Sequence, residues 1–185
     1  RCWGLLLLAL IAAAAGLAQR PVGRDMSNKL APFVTSPLSV VEKMLEAAEL
    51  KSGEVVYDLG SGDGRVLITA AQKYAVRGVG IEISEPLVRA TNERLRRLNL
   101  ANRVKIINED LMKVDLSPAD VVIIYLETKS NELLRPNLEK YLRSGARVVS
   151  HDFAVKGWKP ARVERIEAFN RPHTIYVYEM PQRAN

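Results

Sequence analysis

Val55-Val56-Tyr57-Asp58-Leu59-Gly60-Ser61-Gly62-Asp63-Gly64-Arg65 is the stretch that decides the fold. Its first five residues form an apolar strand that stops at Gly60. From Gly64 to residue 74 the pattern turns helical. Three glycines between strand and helix let a backbone turn sharply and approach a ligand closely. Outward from this turn, strands and helices alternate. The spacing predicts strands over 78–83, 104–108, 120–126 and 146–150, and helices over 85–98 and 131–142. A helix over 37–50 precedes them, with Ser36 able to cap it and Pro37 suited to its first turn. Residues 163–168 and 174–180 form a closing pair of strands with no helix between, so an antiparallel member is expected at one edge. Repeated β-α-β units with apolar strands imply an α/β fold. The expected architecture is a Rossmann-like, seven-stranded, mostly parallel sheet with helices on both faces.

In such sheets a ligand sits at the carboxyl ends of the strands, near the point where strand order reverses. The residues there are acidic. Asp58 and Asp63 bracket the turn of Gly60, Ser61, Gly62 and Gly64. A pyrophosphate would meet two carboxylates, an unfavourable pairing. A ligand with an ammonium and a sulfonium is welcomed instead, and S-adenosyl-L-methionine carries both. Glu82 ends the next strand, 22 positions after Gly60, where a carboxylate can accept from both ribose hydroxyls. That acid alone would suit NAD equally. After the third strand, Asp110 can accept from an adenine amino group, and the Leu111 N–H can serve a ring nitrogen. Asp63 inside the loop and the missing Gly-x-Gly-x-x-Gly spacing speak against a dinucleotide.

Composition narrows the classes further. The chain has 185 residues, 48% hydrophobic and 26% charged, which fits one folded domain. The net charge is +6, and acidic residues interrupt the basic ones, so no nucleic-acid partner is expected. One cysteine and two histidines exclude a Cys-based zinc site and a three-histidine site, and no metal is expected. Residues 2–18 carry no charge. As a helix they would span roughly 25 Å, just short of the about 30 Å hydrocarbon layer. Residues 1–19 therefore read as a membrane anchor or a signal-like segment, and 20–31 as a polar linker. Arg20, Arg24 and Lys29 follow the apolar run, which places the domain at 32–185 on the cytoplasmic side.

The glycine turn, Glu82 and Asp110 resemble motif I, post-I and motif II of the class I S-adenosylmethionine-dependent methyltransferases. The likeness narrows with residues 32–37, Tyr125-Leu126, residues 147–153, Gly157-Trp158 and residues 173–176. These are similar to the small protein-lysine methyltransferases of archaea and their mitochondrial relatives, which modify the adenine nucleotide translocase and the ATP synthase c-subunit. The resemblance covers about residues 32–180. It implies S-adenosyl-L-methionine as cofactor and a protein with an accessible lysine as partner. A small molecule or nucleic acid is the alternative acceptor. Two positions depart from the family pattern. Phe33-Val34-Thr35-Ser36 replaces the usual Tyr-Val-Pro-Thr, and Glu127 stands where Leu is common.

A lysine acceptor must shed a proton, because only the neutral amine has a lone pair. Desolvation lowers its pKa and an aromatic channel can hold it. Candidate acceptor-side residues are Phe33, Tyr125, Glu127, His151 and Asp152, with Phe153 and Trp158 as further aromatics. His151 and Asp152 read more readily as a structural pair that holds the loop, and His173 as a structural residue.

Overall fold

The computed structural model describes residues 34–181. Phe33, the apolar run 2–18 and the linker 20–31 lie outside the described residues. The elements are α1 (Leu38–Ala47), β1 (Val55–Leu59), α2 (Arg65–Tyr74), β2 (Arg77–Glu82), α3 (Glu85–Arg97) and β3 (Val104–Asn108). They continue with β4 (Val121–Ile124), α4 (Thr128–Tyr141), β5 (Arg147–His151), β6 (Arg162–Ala168) and β7 (Arg171–Glu179). One seven-stranded sheet has the order β3-β2-β1-β4-β5-β7-β6. Strand order reverses between β1 and β4, so their carboxyl ends open a crevice.

Alternation along the strands divides the core in two. Val56, Val121, Ile123 and Val149 face α1, α2 and α3. Tyr57, Val122, Ile124 and Val148 face α4 through Leu134 and Leu138. The central strands have apolar residues on both faces because helices and loops cover both.

The antiparallel strand is not at the edge. β7 pairs antiparallel with both β5 and β6, so it lies one place in. Burial explains the order. β7 buries His173, Ile175, Val177 and Tyr178, whereas β6 carries Arg162, Glu164, Arg165 and Glu167 and exposes most of its length. A charged strand suits an edge. Helix ends differ from the sequence reading too. Ser36 does not cap α1, whose N-cap is Pro37. The Ser36 hydroxyl instead meets His151 Nδ1 at 2.9 Å. α4 begins three residues early and carries Pro136 in its interior.

Gly80 in β2 lets the strand pass under the glycine loop. A Cβ there would lie 2.5 Å from Ile106 Cδ1 and 2.6 Å from Ser61 Oγ. Gly80→Ala is expected to lower unfolding free energy by about 1–3 kcal/mol and to weaken cofactor binding by shifting Ser61. Urea unfolding and calorimetric titration of the same variant measure both effects.

Candidate active site

The loop after β1 is built mainly from backbone. Gly60, Gly62 and Gly64 have φ of +86°, +52° and +72°, a region that β-carbons disfavour. Gly60 and Ser61 N–H both donate to the Ile81 carbonyl, at 2.9 and 3.0 Å. Gly62 N–H donates to Glu82 Oε2 at 2.9 Å. Ser84 N–H donates to Glu82 Oε1 at 2.8 Å. Thr91 Oγ1, from α3, donates to the Gly62 carbonyl at 3.1 Å. The loop is therefore fixed from β2 and α3, and Glu82 is fixed by the loop. Each Glu82 oxygen retains a lone pair for a further donor.

Asp58 lies beneath this loop, 5% exposed. Among the described residues no hydrogen bond or ion pair engages its carboxylate. Burial pushes its pKa up to about 7, and the Glu82 and Asp63 charges push the same way. A carboxylate in this state gains most from a cationic ligand. Ser61 Oγ is buried without a partner beside it. These two unsatisfied groups fit a ligand with a cationic and a polar end.

Asp63 is already engaged. Arg65 donates to it through Nε at 3.0 Å and Nη2 at 2.7 Å. Burial alone would raise the Asp63 pKa, but the Arg65 contacts outweigh it and lower the value. Arg65 Nη1 also donates to the Ser36 carbonyl at 2.8 Å, so Asp63 secures residues 34–37 against the loop. Asp110 caps a 3₁₀ turn (Leu111–Lys113) by accepting from Met112 N–H at 2.9 Å. Leu111 is half-buried at the start of that turn.

The second group of predicted site residues follows β4 and β5. The Tyr125 ring lies 3.9 Å from His151 and 6.2 Å from Phe153, centroid to centroid. Beneath it is a polar cluster. His151 Nε2 and His173 Nδ1 are 2.8 Å apart. Asp152 Oδ2 lies 3.3 Å from His151 Nε2 and 3.2 Å from His173 Nδ1. Asp152 Oδ1 accepts from Thr174 N–H at 2.9 Å. Burial lowers the His151 pKa to about 4 against the pull of Asp152, so its ring is neutral at pH 7. His151 is 0% exposed and packs against the Tyr125 ring.

One sequence expectation needs correction. Trp158 is not with the other aromatics. It packs edge-on to Tyr178 at 5.4 Å and donates to Glu139 Oε1 at 2.8 Å, because the chain after β5 folds back along α4. Glu127 is exposed at the N-cap of α4, outside the Tyr125 cluster. Conversely, no motif marks Arg171. Its Nη2 donates to Tyr125 Oη at 3.2 Å and lies 3.1 Å from Asp152 Oδ2. Only the β5–β7 register brings it there.

Strand order, glycine loop and strand-end acids together define the sheet of a class I methyltransferase. The ANTKMT methyltransferase domain family matches residues 58–162, and the chain belongs to it. A protein-lysine N-methyltransferase of Saccharolobus islandicus (strain REY15A) is 43% identical over 148 residues, covering 80% of this chain and 92% of that protein. The adenine nucleotide translocase lysine N-methyltransferase of Mus musculus is 32% identical over 169 residues, 86% of this chain and 73% of that protein. Among solved structures, an RNA methyltransferase from Salinibacter ruber in complex with S-adenosyl-L-homocysteine has a TM-score of 0.76 at 39% identity. It covers 82% of this chain and 97% of that one.

Asp58 generates a pH dependence. Its folded pKa exceeds the ordinary 3.8, so its contribution to stability is full below about pH 4 and is lost as pH rises through about 7. Cation binding runs the other way, because it needs the ionised form. The dissociation constant for S-adenosyl-L-methionine is expected to fall about tenfold per pH unit from pH 5.5 and to level above about pH 7.5. Asp58→Asn should bind weakly with a flat profile. Calorimetric titration across that range is the check.

Proposed function

We propose that this chain transfers a methyl group from S-adenosyl-L-methionine to a lysine side chain of a protein. The observation that carries the reading is the buried, unpaired Asp58 under a glycine loop, next to an aromatic acceptor edge. When bound, the donor supplies an electrophilic methyl on a sulfonium. In this reading Asp58 receives its ammonium, Glu82 its ribose hydroxyls, and Asp110 with the Leu111 N–H its adenine. The loop backbone of Gly60, Ser61, Gly62 and Gly64 lies against it, while Asp63 acts through Arg65.

The acceptor enters beside Tyr125 and Phe153, whose ring faces attract its ammonium. In that water-poor site the ammonium releases its proton to solvent. The amine lone pair then forms the N–C bond as the S–C bond breaks, and alignment does most of the work. Tyr125 orients the amine, with His151 and Asp152 as its support. Phe33, the residue before Val34 in sequence and outside the described residues, is assigned to the acceptor channel in this proposal on its resemblance to the family's opening motif. Glu127 stands further out and meets the protein partner. The lysine activity of the 43% identical archaeal relative supports this acceptor.

The Salinibacter structure's RNA assignment favours a second reading, nucleic-acid methylation. The end of β4 weighs against amino-group methylation of a base. It reads Tyr125-Leu126-Glu127-Thr128 where such enzymes carry an Asn/Asp-Pro-Pro-aromatic turn. Residues 2–18 would hold the enzyme at a membrane with its domain on the cytoplasmic side. Among the described residues, no helix is long and apolar enough to cross one.

Incubation with labelled S-adenosyl-L-methionine, a protein extract and total RNA in parallel decides the acceptor. Label on lysine is expected, mapped by peptide mass spectrometry, and label on RNA alone would refute the reading. Tyr125→Ala should lower kcat/KM by more than about tenfold while donor affinity stays within about twofold. Glu82→Ala should weaken donor binding by at least about tenfold.

A further inference from the structure

The hairpin joining β6 to β7 reaches past the rest of the sheet. His151, the last residue of β5, pairs with Ile175, so residues 171–174 of β7 run beyond the end of β5. At about 3.4 Å per residue, the tip stands more than about 10 Å outside the carboxyl edge. Arg171 ties that overhang to the acceptor side through Tyr125 Oη and Asp152. The tip therefore forms the rim of the acceptor crevice.

The tip itself is Phe169-Asn170, with φ of +50° and +58°. Two successive positive φ values are the signature of a tight hairpin turn best served by Asn-Gly. A bulky aromatic strains in that region. Phe169 is also 84% exposed, more than any other large hydrophobic side chain among the described residues. Its ring thus fills no core and fits its turn poorly. Aromatic side chains, Phe among them, are enriched at protein–protein interfaces.

We propose that Phe169 is the apolar docking contact for the protein that presents the acceptor lysine, and that it reads an apolar residue flanking that lysine. The inference rests on the lysine-methyltransfer reading above and names the surface that selects its partner. Position favours a protein over other partners. Whatever touches Phe169 is two residues from Arg171, and Arg171 touches Tyr125. The Arg171 guanidinium there is engaged by Asp152 and Tyr125, so Phe169 is the apolar contact the tip offers.

The test uses the full chain, S-adenosyl-L-methionine and synthetic peptides with one central lysine. One set flanks the lysine with Leu and Phe, the other with Ser and Gly. The native enzyme is expected to show a lower KM for the apolar set. Phe169→Asn should raise that KM about tenfold, the loss of one anchor contact, and erase the preference. Its kcat, donor affinity and KM for the polar set should hold, and Tm should stay level or rise as the turn relaxes. Retained discrimination by Phe169→Asn, with methylation intact, would overturn the docking inference and leave the lysine reading standing. The docking inference also fails if Phe169→Asn loses only binding to phosphatidylcholine–phosphatidylglycerol vesicles, or if its Tm drops by more than about 5 °C. No transfer to any peptide by donor-loaded native enzyme would overturn both.

Discussion

The Glu82 carboxylate joins two parts of the chain that share no strand pairing at that point. One oxygen takes the Gly62 N–H and the other takes the Ser84 N–H. The first contact sets the loop after β1, and the second sets the start of α3. Thr91 of α3 returns to the Gly62 carbonyl, which closes the ring. Asn108 at the end of β3 donates to the Glu82 carbonyl at 3.0 Å. Three strand ends and one helix thus converge on a single acid. Gln in its place would keep one acceptor oxygen and turn an NH2 group toward the other backbone N–H, leaving that donor unpaired at about 1–3 kcal/mol. The glycine loop, the start of α3 and the end of β3 are held together for this reason.

The convergence carries an electrostatic penalty. Glu82 has its backbone donors and Asp63 has Arg65, but Asp58 has neither. Burying it beside two other acids holds it near neutrality in the pH 7 range. The fold tolerates the arrangement because the central strands bury apolar residues on both faces. The site is thus poised for a cation, and ligand binding and Asp58 ionisation are thermodynamically linked.

What is legible in the sequence is local. The β1 strand, its glycine turn, Glu82 and Asp110 each announce themselves within a few residues, because strand period and turn chemistry are short-range. The seven strands follow from the same signals. What stays hidden depends on register between distant segments. Ser36 reads as a helix cap, since a serine before a proline and an apolar stretch commonly serves that role. It meets His151, 115 residues away, only because β5 ends beside residues 34–37. Trp158 reads as a channel aromatic through its nearness in sequence to Phe153, yet the chain reverses between them. Arg171 carries no motif at all. The place of β7 inside the sheet is hidden for a related reason. A two-residue turn fixes that two strands pair, but not which of them takes the edge. Comparing the buried face of β7 with the charged faces of β6 supplies that answer after the fact.

The two halves of the crevice are consequently made of different material. In the proposed reading the donor half is backbone and three acids, Asp58, Glu82 and Asp110, and its loop is held by main-chain hydrogen bonds to Ile81 and Glu82. In the same reading the acceptor half is assembled from side chains on separate elements: Tyr125 after β4, His151 and Asp152 at the end of β5, Arg171 and His173 on β7. Its shape depends on the β5–β7 pairing and on an antiparallel hairpin that projects beyond the sheet. Substitutions on that hairpin can reshape the acceptor entrance without touching Glu82, the glycine loop or the parallel strands beneath them. A fold divided in this way can keep one methyl donor while changing what it methylates, so the antiparallel end of the sheet is where acceptor selectivity is physically free to vary.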